Sequence, residues 1–183
     1  MFHNSSVIEV KHETFFDRLD EPFRIRRIPP AVTIPTADYQ FSLWGLELES
    51  DPSRIFFGSL DYRSGTFYTG DRTTVVATGA FRPNERFSVE GHFTYNDVRL
   101  QEGSFVNDLI SSRVNYYFST RMFLSALIQY NSDLKYVTSN IRFNFIHHPL
   151  SDLFVVYNER RDTSGAGQND RALTLKFTHL ISF

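Results

Sequence analysis

The chain has 183 residues and a formal net charge of -2, with 19 Phe, 9 Tyr and no Cys. The near-neutral charge argues against the broad basic surface that nucleic-acid binding requires. The lack of cysteine excludes disulfides, thiolate metal sites and a cysteine nucleophile. No stretch of sequence approaches the roughly 18 apolar residues of a transmembrane helix. Strands that cross a membrane escape that test, because they alternate apolar and polar residues.

Period-two alternation of apolar and polar residues runs through the chain and predicts ten strands. In chain order they are Val7–Phe15, Tyr39–Glu49, Ile55–Arg63, Thr73–Arg82, Arg86–Asn96, Asn107–Phe118, Met122–Asn131, Tyr136–Ile146, Leu153–Arg160 and Ala172–Phe183. Most have the length of about 9–11 residues that a tilted membrane strand needs. We therefore predict an all-β fold, an antiparallel up-and-down transmembrane β-barrel. Residues 1–183 form one such domain or the C-terminal portion of a larger one.

The predicted connections alternate between short turns and generally longer loops. The turns are Asp51–Arg54, Pro83–Glu85, Ser119–Arg121 and His147–Asp152. The loops are Phe16–Asp38, Ser64–Arg72, Asp97–Val106, Arg161–Arg171 and the shorter Ser132–Lys135. Outer-membrane barrels have short periplasmic turns and longer extracellular loops. The order of connections therefore predicts that both chain ends lie in the periplasm.

The two sides of the predicted strands differ in chemistry. A register slip in the strand that carries Arg142 would move this side chain into lipid, at roughly 2–4 kcal/mol near the midplane. The side chains predicted to face lipid are Phe87, Val89, Phe93, Val114, Ile141, Phe143, Phe145, Leu173, Leu175 and Phe177. The polar side chains predicted to face the lumen are Asp61, Arg63, Glu90, His92, Arg113, Asn140, Arg142, Arg160 and Lys176. These charges either select solutes or pair with one another to fill a narrow barrel, and the second reading is favoured.

Three segments resemble the final strands of a known bacterial family. They are the run Ser125–Ser132, the run Ser139–Phe143 and the run Asp152–Arg160. The resembling family is one of unknown function found in Gram-negative phyla such as the Bacteroidetes. Its longer members join an N-terminal β-sandwich, similar to family-nine carbohydrate-binding modules, to a C-terminal outer-membrane barrel. The resemblance covers about residues 7–183, including Ile34-Pro35, and implies a link to carbohydrate through a missing N-terminal domain.

The last predicted strand resembles the C-terminal signal that the outer-membrane assembly machinery reads. Alternate residues back from the end include Phe183, Ile181 and Phe177, and His179 departs from the usual apolar pattern. These aromatic and apolar positions predict export to the outer membrane of a Gram-negative bacterium. The first residues lack the charged and apolar regions of a signal peptide. We therefore expect a truncated or subdivided longer protein.

No motif of an enzyme, cofactor or metal site stands out. His147 and His148 are adjacent on a predicted turn, where neighbouring side chains diverge, so a turn is favoured over a metal site. Asp17 and Asp20 fall in the first loop, where a glycosidase carboxylate pair is conceivable but a solvated loop is favoured. The Gly165–Gly167 segment lacks the following helix of a phosphate-binding loop.

The sequence thus predicts a non-enzymatic outer-membrane segment without a cofactor. Its expected partners are membrane lipid and the assembly machinery, and its role is to anchor or to form part of a porin-like solute passage. Two alternatives remain open. One is a soluble β-barrel that binds a small apolar ligand with the Phe and Ile side turned inward. The other is a surface-exposed carbohydrate-active hydrolase.

Overall fold

The structure is a computed structural model that describes residues 5–180, and these residues form strands and no helix. The strands are β1 (Val7–Arg18), β2 (Phe23–Arg26), β3 (Val32–Ile34), β4 (Asp38–Glu49), β5 (Phe56–Phe67), β6 (Gly70–Asn84), β7 (Phe87–Leu100), β8 (Gly103–Ser119), β9 (Met122–Asn131), β10 (Tyr136–His148), β11 (Ser151–Asp162) and β12 (Asp170–Phe177). Ten of them form one mostly antiparallel sheet in the order β1-β4-β5-β6-β7-β8-β9-β10-β11-β12, and β2 and β3 form a separate hairpin.

The all-β class and the antiparallel sheet of ten strands are confirmed. Each predicted strand overlaps one strand of the sheet, and the bounds of β9 agree at both ends. Within residues 5–180 the pairing does not return from β12 to β1, so the sheet is not closed into a barrel. Over the same residues, no helix is long and apolar enough to span a membrane.

Two of the predicted loops are wrong, because the strands continue through most of them. In place of the loop at 64–72, β5 and β6 leave only residues 68–69 between them, and β7 and β8 leave only 101–102. The alternation of apolar and polar side chains persists here, since Val98 and Leu100 are buried whereas Arg99 is exposed. A buried cluster requires this continuation of the strand.

Two further strand boundaries also differ from the prediction. The first predicted loop contains the β2–β3 hairpin and the last three residues of β1. The final strand ends at Phe177 rather than at the C-terminus, and beyond it Thr178 and Asp152 still exchange two backbone hydrogen bonds, at 2.8 and 3.1 Å. The amide of Leu180 donates to Oγ of Ser151, at 2.9 Å. The predicted signal residues Ile181 and Phe183 lie outside the described residues.

The chain divides into two compact units. Unit 1 comprises residues 1–52, 57–78 and 93–108, and unit 2 comprises residues 53–56, 79–92 and 109–183. Unit 1 contains a buried apolar cluster under the β2–β3 hairpin. In unit 2, β10 and β12 expose large apolar side chains, which include Ile141, Phe145, Leu173, Leu175 and Phe177.

Candidate functional site

The strand registers of unit 2 place a set of polar side chains from β8 to β12 on one side of the sheet, which we call the polar face. Asn140 lies opposite Leu127 in β9 and opposite Asn158 in β11. Asn158 in turn lies opposite Ala172 in β12. The polar face contains Arg113, Ser125, Asn140, Arg142, Asn158, Arg160, Thr174 and Lys176. The five residues of these strands that were predicted to face a lumen therefore share one side of the sheet.

The opposite side of the same strands, which we call the apolar face, is built of aligned rows of apolar residues. One row contains Leu124, Phe143, Val155 and Leu175, and the next contains Ala126, Ile141, Tyr157 and Leu173. Val114 in β8 lies opposite Ala126 and extends this second row. On β12 the exposed fractions are 71% for Leu173, 67% for Leu175 and 63% for Phe177. The predicted lipid-facing residues of β8, β10 and β12 therefore share the apolar face.

Polar groups bound the apolar face at both ends. At one end, Ser139 aligns with Glu159 and Arg171, one row beyond Ile141. At the other end, Nε2 of His147 lies 3.4 Å from Nδ1 of His179. Positions 139 and 147 are eight residue steps apart, which corresponds to about 26 Å along a strand. A strand tilt of about 40° reduces this to roughly 20 Å, comparable to the apolar band of about 25 Å in outer-membrane barrels.

A row of aromatic rings crosses β5 to β8 in unit 2. Phe56 stacks on Phe81 with ring centroids 4.3 Å apart, and Phe81 contacts Phe87 edge-on at 6.3 Å. Tyr116 continues the row, 6.4 Å from Phe87 and 4.7 Å from Phe118. Such rows resemble the aromatic girdles at membrane interfaces.

Polar side chains on β7 and its neighbours in unit 2 are paired with one another. Glu90 accepts a hydrogen bond from Nη2 of Arg82 at 2.7 Å, and Ser88 accepts one from Asn115 at 3.1 Å. His92 lies on the same side of β7 as Glu90, by the alternation of the strand. The predicted lipid-facing residues Phe87, Val89 and Phe93 alternate with them on the other side.

The polar face of β10 to β12 combines ion pairs with aromatic contacts. The guanidinium of Arg142 lies 5.2 Å from the ring centroid of Phe154. That of Arg160 lies 5.2 Å from the ring of Tyr136, and its Nε lies 3.6 Å from the carboxylate of Asp170. The cations of this face are thus supported by rings and by a carboxylate. Arg142 and Arg160 therefore make these contacts within the sheet itself.

In unit 1, Asp61 and Arg63 belong to a chain of ion pairs across β1, β4 and β5. Nη2 of Arg63 lies 2.9 Å from Asp61, and its Nη1 lies 3.4 Å from Glu13 in β1. Lys11 lies 2.6 Å from the carboxylate of Glu47. All these side chains are partly exposed, so water screens each pair and its net contribution to stability is small.

The β2–β3 hairpin covers the end of this ion-paired side of unit 1. Val32 and Ile34 are 1% and 0% exposed. They pack in one cluster with Tyr39, Phe41, Phe67, Val98 and Leu100. By alternation, Tyr39 and Phe41 point to the same side of β4 as Glu47. This cluster was not predicted from the sequence, although the spacing of Val32 and Ile34 is typical of a short strand.

Tyr68, in the two-residue turn between β5 and β6, donates a hydrogen bond to Oδ2 of Asp17 at 2.6 Å. Burial and this bond to a carboxylate raise the pKa of Tyr68 to about 12. A raised folded-state pKa means that the neutral phenol stabilises the fold. That stabilisation is complete below the ordinary tyrosine pKa near 10 and is lost as the pH rises towards 12.

We expect Tyr68→Phe to remove one phenol from the tyrosines that ionise at the highest pH. The measurement is an ultraviolet titration of tyrosinate absorbance for both proteins. The wild-type protein should show one more phenol that titrates near pH 12 than the variant does, because the bond to Asp17 raises the pKa of Tyr68. A difference spectrum centred at pH 10 would contradict the buried hydrogen bond.

The candidate metal and catalytic residues do not assemble into a larger site in residues 5–180. These residues contain no group of three or more His, Asp or Glu side chains that could hold a metal ion. His147 contacts His148 and His179 through its ring. The carboxylate of Asp17 is bound by Tyr68. Whether the chain has enzymatic activity stays a prediction.

Comparisons of the chain with protein-family models, with curated proteins and with solved structures found no match. The fold and the two faces are therefore interpreted from their own chemistry.

Proposed function

We propose that this chain is a membrane-embedded wall segment of a Gram-negative outer-membrane β-barrel. The observation that carries the proposal is the apolar face of unit 2, which exposes aligned rows of Leu, Ile and Phe between two polar boundaries. A folded soluble protein rarely exposes such contiguous apolar rows without a partner or a membrane. In hydrocarbon, the same rows would be favourably buried.

The polar face supports a lumen on the other side of this wall. Its amides and hydroxyls hydrogen-bond to one another, and Arg142 and Arg160 contact aromatic rings and the carboxylate of Asp170. These contacts suit a filled or narrow water-accessible interior rather than an apolar core. The proposed role is to anchor, or to form part of a solute passage. Closure of the barrel would require β1 and β12 to pair with each other or with further strands. Such pairing would also protect two edge strands that are otherwise prone to aggregation.

Export, assembly by the outer-membrane machinery and insertion into lipid would follow from the location. In longer proteins of the resembling family, such a barrel would hold a carbohydrate-binding sandwich at the membrane. The proposed role involves no catalysis and no cofactor.

Spin labels at adjacent positions of β10 test which side meets hydrocarbon. The chain has no native cysteine, so Ile141→Cys and Arg142→Cys each give a single labelling site. In reconstituted protein we expect the label at 141 to collide with oxygen and to be shielded from a polar nickel chelate. The label at 142 should show the reverse preference.

The alternative, a soluble barrel that binds an apolar ligand, gives the opposite result. The label at 141 would then be shielded from both quenchers, the label at 142 would face bulk water, and the protein would stay monodisperse without detergent. That combination would overturn the membrane proposal.

A further inference from the structure

Glu159 holds two arginines side by side at one boundary of the apolar face. Its Oε1 accepts a hydrogen bond from Nη2 of Arg161 at 3.0 Å and one from Nε of Arg171 at 3.2 Å. Nη2 of Arg171 lies 3.1 Å from the same oxygen, and the hydroxyl of Tyr157 donates to Oε2 at 3.2 Å. The side chain of Glu159 is only 14% exposed, so this carboxylate is enclosed by its donors.

The two guanidinium groups themselves remain open to solvent. The exposed fractions of the side chains are 59% for Arg161 and 62% for Arg171. Each guanidinium has five N–H donors, and the bonds to Glu159 use a minority of them. The cluster carries two positive charges and one negative charge, so it retains a net positive charge beside its unused donors.

The position of the cluster formed by Glu159, Arg161 and Arg171 indicates which anion it would bind. Arg171 and Glu159 occupy the row directly beyond Ile141, Tyr157 and Leu173. If the apolar rows lie in hydrocarbon, this next row lies at the level of the lipid headgroups. Arginine matches the geometry of phosphate oxygens through paired N–H donors. A phosphate ester is therefore the anion best suited to this place and geometry.

We infer that Arg161 and Arg171, positioned by Glu159, bind the phosphate of an anionic lipid headgroup. This inference rests on the proposed function, because it requires the apolar face to lie in a membrane. The proposed ligand is a phosphate group carried by a lipid, and the test distinguishes it from free inorganic phosphate.

The test measures lipid binding to the detergent-solubilised full chain by native mass spectrometry. The probes are dioctanoyl phosphatidic acid and, as a zwitterionic comparison, dioctanoyl phosphatidylcholine. The double variant Arg161→Gln, Arg171→Gln is expected to weaken binding of phosphatidic acid by about ten-fold or more, since two charge-assisted donors are lost. The matched control is Arg24→Gln, Arg27→Gln, which removes the same charge at exposed positions in unit 1. The control is expected to change the affinity less than about two-fold.

Glu159→Gln separates a built site from general attraction to positive charge. This variant makes the protein more positive but weakens the clamp that holds the two arginines together. We expect weaker binding of phosphatidic acid. Stronger binding would show that affinity follows net charge, and would overturn the inference. Equal effects of the two double variants, or full displacement of the lipid by an equimolar concentration of inorganic phosphate, would overturn it as well.

Flotation with phosphatidylcholine vesicles distinguishes failure of this inference from failure of the proposed function. If the wild-type chain and the double variant both insert and float, while lipid preference is unchanged by the substitutions, only the headgroup site is wrong. A wild-type chain that does not insert overturns both.

Discussion

Leu175→Arg is expected to destabilise the membrane-inserted chain by about 2–4 kcal/mol, whereas Thr174→Arg next to it changes stability by less than about 0.5 kcal/mol. Both residues lie on the edge strand β12 and both are exposed in the chain itself. Leu175 belongs to the apolar face, in the row of Phe143 and Val155 near the middle of the apolar band. Thr174 belongs to the polar face. Only a surrounding membrane therefore distinguishes the two substitutions.

The free energies are measured by urea titration of refolding into phospholipid vesicles. Replacement at two adjacent, equally open positions controls for strand propensity and for the added charge. If both variants unfold at the wild-type urea concentration, the apolar face does not lie in lipid. If both are destabilised equally, arginine disturbs the edge strand itself and the difference between the two faces has no energetic meaning.

The second large effect is expected in the buried cluster of unit 1. Ile34→Ala should lower the free energy of unfolding by about 2–5 kcal/mol, because Ile34 is 0% exposed and its loss leaves a cavity among aromatic rings. Thr33→Ala, at the exposed position between Val32 and Ile34, is the matched control, with an expected change below about 0.5 kcal/mol.

The fluorescence of Trp44 reports this transition, since it is the chain's single tryptophan and lies in unit 1. Urea unfolding of both variants in detergent micelles supplies the comparison. An Ile34→Ala protein as stable as the Thr33→Ala protein would mean that the hairpin does not pack on the sheet as described.

The sequence predicted the sheet well where alternation is strict and neighbouring strands are close in the chain. The bounds of β9 agree fully, and β10 differs only at its C-terminal end, by two residues. There, one side carries Ile141 and Phe143 and the other carries Arg142, so a register slip would be costly. Local pattern alone is then sufficient to fix the strand and both of its faces.

The hairpin could not be predicted in the same way. β2 and β3 have only four and three residues, too few for a periodic signal to rise above chance. Their burial depends on Val98 and Leu100, which are remote in the sequence and fell within a segment predicted to be a loop. Tertiary packing therefore decided the structure of both segments at once.

The arginine cluster shows a similar limit for the candidate site. Alternation alone places Glu159 on the side of β11 opposite to Arg160. Arg160 was predicted to face the lumen, and no role was predicted for Glu159. The pairing of Glu159 with Arg171 requires the register of β11 against β12. Arg171 fell within the predicted loop Arg161–Arg171, whereas the structure leaves only residues 163–169 between the two strands. Three donors around one carboxylate are visible only once that register is known.

The hairpin also has a kinetic consequence. The strands from β9 to β12 each pair with their neighbour in the chain, so they form by closing short loops, one hairpin after another. The cluster around Val32 and Ile34 also needs Val98 and Leu100, so it is complete only after a long loop has closed. We therefore expect the packing of the β2–β3 hairpin onto the assembled sheet to be the slowest step of folding.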